Sequence, residues 1–301
     1  MTTEKKVDND KYDLDMFKEE LVGEGLSKAT ASAYADDVEM FLGWLQEKHG
    51  GSLYLDKLSE ADLIAFREEL LKAGFSAGTA NRRLAAVKRF SRWLVNTHVL
   101  SCDVAAGVNY VRRRQGTPTL TPPDQSQIKA LLNSCRRCRH PRRSIAAFRL
   151  MLDAGLRVEE IANLTFSDLD FSPRGKIILV RRCGHVQRIP LTRTVWQALE
   201  AYLTEERGDD PSEHIFVSQK GGGIAVISLR QSLAQCLRAA GLDGIPLRSL
   251  RGVFARNYLS IRPADLTGLA QSLGIKDWNA LRSYLGSGSV EPMTTREVKN
   301  V

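Results

Sequence analysis

In the stretch IPLRSLRGVFARNYL, residues 245–259, Arg248 and Arg251 stand three apart on what reads as the first turns of a helix. That spacing puts two guanidinium groups on one face. Arginine stays protonated throughout the physiological range and offers a planar fork of donors, so the pair suits phosphate oxygens and is unsuited to moving protons near pH 7. A second basic set, Arg82, Arg83, Lys88, Arg89 and Arg92, runs along one helical pattern with no acid among them. In an otherwise acidic segment this is better explained by a phosphate-facing surface than by a merely solvated face. Cys135-x-x-Cys138 is a weak metal signal: no second cysteine pair exists and His140 is a poor third ligand, so no metal site is expected.

Composition points the same way. The 301 residues carry a net charge of +8, divided unevenly: residues 1–104 are net −4 and residues 105–301 net +12. A basic chain of this kind meets polyanions. Five cysteines (Cys102, Cys135, Cys138, Cys183, Cys236), odd in number and without framework spacing, read as free thiols in a reducing compartment. The sequence shows neither a signal-peptide pattern nor a run of ~18 apolar residues, so the expectation is a cytoplasmic, nucleoid-associated protein with no membrane span.

The elements that must position these groups fall into two domains. Residues 1–11 are polar and expected to be disordered. Residues 12–109 hold four helical patterns: one with apolar Leu14, Phe17 and Leu21, a second opened by Ser27, a third opened by Ser59 and closed at Gly74, and the basic fourth. Residues 110–124, with Arg112, Arg113 and Arg114 and three prolines, read as an extended basic linker. Residues 125–290 read as mainly helical with one small sheet. They hold a hairpin over 175–191, turning at Cys183, Gly184 and His185, and a further strand at HIFVSQKGGG. Residues 291–301 form a polar tail. The fold class expected is therefore mainly α with a small β-sheet.

Three successive boxes carry a resemblance. LMLDAGLRVEEIANLTFSDLD, PLRSLRGVFARNYL and LAQSLGIKDWNALRSYLG occur in order, with the hairpin between the first two. Over about residues 12–290 the chain resembles the tyrosine recombinase (phage integrase) family. The resemblance implies an N-terminal four-helix core-binding (SAM-like) domain and an α+β catalytic domain. It implies Arg157 and Arg251 as the catalytic arginines, Tyr284 as the nucleophile, and Arg248 in the place of the second box's histidine. The chemistry implied is attack of a tyrosine oxygen on a DNA phosphodiester to give a 3′-phosphotyrosyl link, without a cofactor. The implied partner is double-stranded DNA, gripped through Arg82, Arg83, Lys88, Arg89, Arg92, Arg112 and Arg113. The implied assembly is a homo- or hetero-tetramer on two DNA sites.

The chain departs from the family pattern at three positions. Arg248 replaces one histidine, Ile275 follows Leu273 and Gly274 where another is expected, and Arg181, Arg182 and Cys183 stand at the hairpin turn where a lysine is expected. Two readings stay open on the residues alone: an active strand-exchange enzyme, or a DNA-binding member with impaired catalysis and an architectural or regulatory role. A type IB topoisomerase shares the chemistry but fits the helical clamp and the small size less well.

Overall fold

The computed structural model of the chain describes residues 13–112, 121–172, 175–182 and 185–285. Arg113, Arg114, Cys183, Gly184, the start at 1–11 and the tail at 291–301 lie outside them. The chain divides into two compact units, Met1–Gln115 and Gly116–Val301.

The first unit is built from α1 (Leu14–Gly23), α2 (Lys28–Lys48), α3 (Glu60–Lys72) and α4 (Ala77–Asn96). The helices start where a short polar side chain caps the free backbone donors. Ser27 accepts from the Thr30 N–H, Ser76 from the Thr79 N–H, and Ser59 forms a capping box with Asp62. Each such cap is worth about 1 kcal/mol. The apolar positions of the four helices close on one core: Phe17 meets Phe90 edge-on at 5.4 Å, and Phe41 meets Phe66 at 5.0 Å.

The second unit opens with α5 (Gln125–Cys135), α6 (Pro141–Asp153) and α7 (Val158–Ala162). A three-stranded antiparallel sheet follows, β1 (Leu169–Ser172), β2 (Gly175–Arg182) and β3 (His185–Pro190), in that order. Then come α8 (Arg193–Glu205), α9 (Val226–Ala239), α10 (Arg251–Ile261), α11 (Leu266–Leu273) and α12 (Trp278–Leu285). Helix α6 is the centre: Ala146, Ala147, Phe148, Leu150, Met151 and Leu152 are all buried, because α8, α9 and α10 pack around it. In β2 the alternation of a half-buried strand sets Ile178, Val180 and Arg182 inward. A separate apolar cluster of Ala255, Leu266, Leu269, Leu273 and Leu281 binds α10, α11 and α12 together.

Three expectations are corrected. The sheet has a third strand, since β1 pairs with β2 through Leu169 opposite Ile178. Residues 214–223 make only single bridges, Thr165–His214 and Val217–Gly223, because the glycines at 221 and 222 turn the chain back before a ladder can form. Arg248 lies in a 3₁₀ turn, Leu247–Leu250, ahead of α10 rather than within it.

Candidate active site

The turn from α6 into α7 sets the first arginine. Gly155 has φ +65°, and a Cβ there would stand 2.9 Å from the ring of Phe254, so only glycine lets the chain reverse this close to α10. Arg157 follows at the head of α7. Its Nη2 donates to the carbonyls of Leu273 (3.1 Å) and Gly274 (2.7 Å), at the C-terminal end of α11. Arg251, at the head of α10, is 4% exposed. Its Nε donates to the Gly155 carbonyl (2.8 Å), its Nη2 to the Leu273 carbonyl (2.6 Å) and its Nη1 to Tyr284 Oη (3.4 Å). One carbonyl, that of Leu273, thus serves both guanidinium groups, and the Tyr284 phenol stands beside the second. The Arg251 guanidinium lies 5.7 Å from the centre of the Tyr284 ring.

Burial brings the Arg251 guanidinium down to about 10; Tyr284 and Glu160 oppose the fall, and the charges of Arg157 and Arg182 add to it. It is still a cation at neutral pH. A carboxylate balances this group of like charges. Glu160 accepts from the Arg157 N–H (2.7 Å) and Arg157 Nη1 (2.8 Å), and from Arg182 Nε (2.8 Å) and Nη2 (2.7 Å). Burial alone would raise its carboxyl; the Arg182 fork and charge, with Arg157 behind them, hold it below the usual carboxylate range.

Arg182 and Glu160 were not singled out as site residues from the sequence. Arg182 did leave a signal: it continues the inward series Ile178, Val180 of β2, where a charge is out of place unless something receives it. Glu160 lies three residues after Arg157, the spacing at which opposite charges meet on a helix.

Arg157, Arg248, Arg251 and Tyr284 line one cleft of about 770 Å³, together with Arg230 and Arg238 of α9. Arg248 is exposed there. Ile275 and Tyr284 both pack against the apolar cluster of α10–α12. Tyr258 donates to Asp265 Oδ2 at 2.7 Å. Lys176 is not in the site: its Nζ lies 3.5 Å from the centre of the Trp196 ring. His185 is exposed at the start of β3, opposite Arg182. Chemically, a phenol beside one fixed cation that shares a carbonyl with a second is an arrangement able to place a nucleophile beside an anion clamp.

Comparison with known proteins shows the family and the fold. The Phage integrase family matches residues 123–288, more than half of the chain, and the phage integrase N-terminal SAM-like domain matches residues 14–98. The chain belongs to the phage integrase family. It is 24% identical over 287 residues to the tyrosine recombinase XerC of Anoxybacillus flavithermus, covering 92% of this chain and 94% of that protein. It is 29% identical over 165 residues to the tyrosine recombinase XerD of Halalkalibacterium halodurans, a match that spans 52% of this chain and about half of the relative, 54%. The fold is that of the crystal structure of a lambda integrase(75-356) dimer bound to a COC' core site, with a TM-score of 0.69 at 15% identity, over 94% of this chain and 98% of that one.

In this chain the basic residues of α4 do not form a bare cationic face. Arg82 forks onto Asp37, with Nη2 at 2.9 Å from Oδ1. Arg83 is 12% exposed and lies over the Phe75 ring. Lys88 donates to the Val108 carbonyl at 2.7 Å. Arg89 pairs with Glu24, and Arg92 stands 3.5 Å from Asp103. Arg112 is exposed, and Arg113 lies outside the described residues. The thiols of Cys138 and Cys236 meet at 2.8 Å with Cys135 buried beside them, and among the described residues no group of three ligating side chains is placed to hold a metal ion. No described helix is long and apolar enough to cross a membrane.

Proposed function

We propose that this protein is a site-specific DNA recombinase that cleaves and rejoins strands through a 3′-phosphotyrosyl intermediate on Tyr284. The observation that carries the reading is the Leu273 carbonyl shared by Arg157 and Arg251, with the Tyr284 phenol on Nη1 of Arg251. A scissile phosphate entering the cleft takes the place of that carbonyl as the acceptor for both guanidinium groups. They then neutralise the non-bridging oxygens where charge builds in the transition state. The Tyr284 oxygen gives up its phenolic proton as it forms the new bond to phosphorus; the bond from phosphorus to the 5′ oxygen breaks, and that oxygen leaves with its electron pair and takes up a proton to become a 5′ hydroxyl. The phosphodiester energy is kept in the protein–DNA link, so a 5′ hydroxyl of another strand reverses the step.

Residues 12–109 serve as the core-binding domain, residues 125–290 as the catalytic domain, and the basic stretch 110–124 as the link. The resemblance supports a tetramer on two duplex sites and a cytoplasmic, nucleoid-associated protein.

The second reading, a DNA-binding member with impaired catalysis, is favoured by one feature. Arg157, Arg182, Arg248 and Arg251 are cations that do not shuttle protons near pH 7, and Ile275 carries no proton at all. One experiment separates the two. The full-length protein is incubated with a nicked duplex taken from the DNA that flanks its gene, and covalent adducts are resolved by denaturing electrophoresis. An adduct that disappears in Tyr284→Phe establishes the first reading. Sequence-specific binding without an adduct establishes the second.

A further inference from the structure

We propose that Arg182 is the positioning residue of this site: it touches no DNA, and it sets both clamp arginines through the groups they share with it. The inference rests on the recombinase reading above and concerns how that site is held together. Arg182 is the last residue of β2, and its side chain is 3% exposed. All of its donors are taken up. Nε and Nη2 fork onto Glu160, Nη2 also reaches the Gly155 carbonyl (3.2 Å), and Nη1 reaches Gln187 Oε1 (3.1 Å) and the Ser272 carbonyl.

Two of those acceptors are ones the clamp uses, and a third adjoins it in sequence. Glu160 is the partner of Arg157. The Gly155 carbonyl is the partner of Arg251. Ser272 precedes Leu273 and Gly274, whose carbonyls hold both clamp guanidinium groups. Arg182 therefore stands one acceptor away from Arg157 and one acceptor away from Arg251. It also ties the hairpin to the end of α11, a tie doubled by Gln187 Nε2 donating to the Gln271 carbonyl at 2.8 Å. The backbone is shaped around it: Gly274 has φ +60°, and a Cβ there would stand 2.6 Å from Arg182 Cδ.

The chemistry needs a fork and not a point charge. Nε and Nη2 meet the two oxygens of Glu160 in parallel while Nη1 is left for Ser272 and Gln187. A lysine ammonium can hold the charge but cannot span four acceptors on three elements. With its donors consumed, Arg182 has none left for a phosphate or a leaving oxygen. The charged groups facing Glu160 are Arg157 from its own element, Arg182 from β2 and Arg251 from α10; Arg230 of α9 pairs with the adjacent Glu159 instead.

The test uses the full-length protein and variants Arg182→Lys, Arg182→Met, Glu160→Gln and the double Arg182→Met/Glu160→Gln. Single-turnover adduct formation on the nicked flank duplex is measured against pH, with DNA affinity measured in parallel. Arg182→Met should form adduct about 10²-fold more slowly at unchanged DNA affinity, the scale expected when reacting groups are misplaced by about 1 Å. Its rate should fall further as pH drops, because Glu160, left with Arg157 alone and without the two Arg182 donors, binds a proton more readily; the double variant should lose that acid limb. Arg182→Lys should recover part of the rate. A rate for Arg182→Lys at or above wild type, or a pH profile for Arg182→Met that superimposes on wild type, overturns the inference.

A second measurement needs neither DNA nor turnover: the carboxyl titration of Glu160, read by ¹³C NMR and assigned through Glu160→Gln. Its midpoint should lie below the usual value in wild type and in Arg182→Lys and above it in Arg182→Met. No adduct from wild type with these midpoints displaced as stated sinks the recombinase reading alone. An adduct with Glu160 titrating alike in wild type and Arg182→Met sinks the positioning role alone. If Arg182→Met does not fold, Arg182→Lys and Glu160→Gln decide by rate and pH profile.

Discussion

An arginine at position 248 changes what the site can do with a proton. Arg248 is exposed in the cleft that holds Arg157, Arg251 and Tyr284, so it can grip a phosphate oxygen, but its guanidinium does not release a proton in the working pH range. In the proposed reaction the 5′ oxygen that leaves needs one. Arg248→His restores a group that titrates near ~6.5. If proton transfer limits the step, adduct formation in this variant should rise by about 10²-fold, within the range for general acid–base help. The rate should acquire an inflection near the imidazole pKa, where wild type has none. An unchanged, flat rate profile would show that something other than this proton limits cleavage. The sequence made this question visible, because the boxes that carry Arg157, Arg248, Arg251, Ile275 and Tyr284 are each local and occur in order. It did not show Arg182. Choosing among Arg181, Arg182 and Cys183 requires knowing which face of β2 turns inward, and that is fixed by the packing of Ile178 and Val180 on residues far away in the chain.

At the scale of elements, the end of α11 is where backbone and site meet. The last carbonyls of a helix have no partner within it. Here Ser272, Leu273 and Gly274 find theirs in the arginines. Gly274 permits this by ending α11 in the left-handed conformation, where a side chain costs about 1–2 kcal/mol and would also strike the Arg182 stem. Gly274→Ala should therefore lower the free energy of unfolding by at least about 1–2 kcal/mol, from the backbone alone. It should depress adduct formation more than DNA affinity. Urea unfolding at an unchanged slope measures the first, and a loss under about 0.5 kcal/mol would contradict the account, since that is the scatter of an ordinary surface change. Elements were legible where their signals are local: the caps at Ser27 and Ser59 and the stop at Gly74 stand at the expected helix ends. They were not legible where pairing is distant. The short strand LDFS exists because β2 lies beside it, and the β-rich HIFV finds only isolated bridge partners.

At the scale of the whole molecule the charge is divided against itself. Residues 1–104 are net −4, yet they hold the most basic helix of their unit, and residues 105–301 are net +12. Much of the basic charge in α4 is committed internally: Arg82 to Asp37, Arg89 to Glu24 and Arg92 to Asp103. Those three side chains still expose 46%, 38% and 65% of their surface, whereas Arg83 exposes 12% under Phe75. If α4 meets phosphates as proposed, the contact would fall to Arg82, Arg89 and Arg92, each offering the donors its acid leaves unused. Each neutralised phosphate releases counterions, so replacing all three by alanine should flatten the plot of log affinity against log salt by about 2.7, at about 0.9 per contact. Affinity at low salt should fall in proportion, and adduct formation at saturating DNA should hardly change, because these residues belong to the first unit and not to the cleft. An unchanged slope would mean that Arg82, Arg89 and Arg92 serve only Asp37, Glu24 and Asp103, and that the polyanion is held by other basic residues.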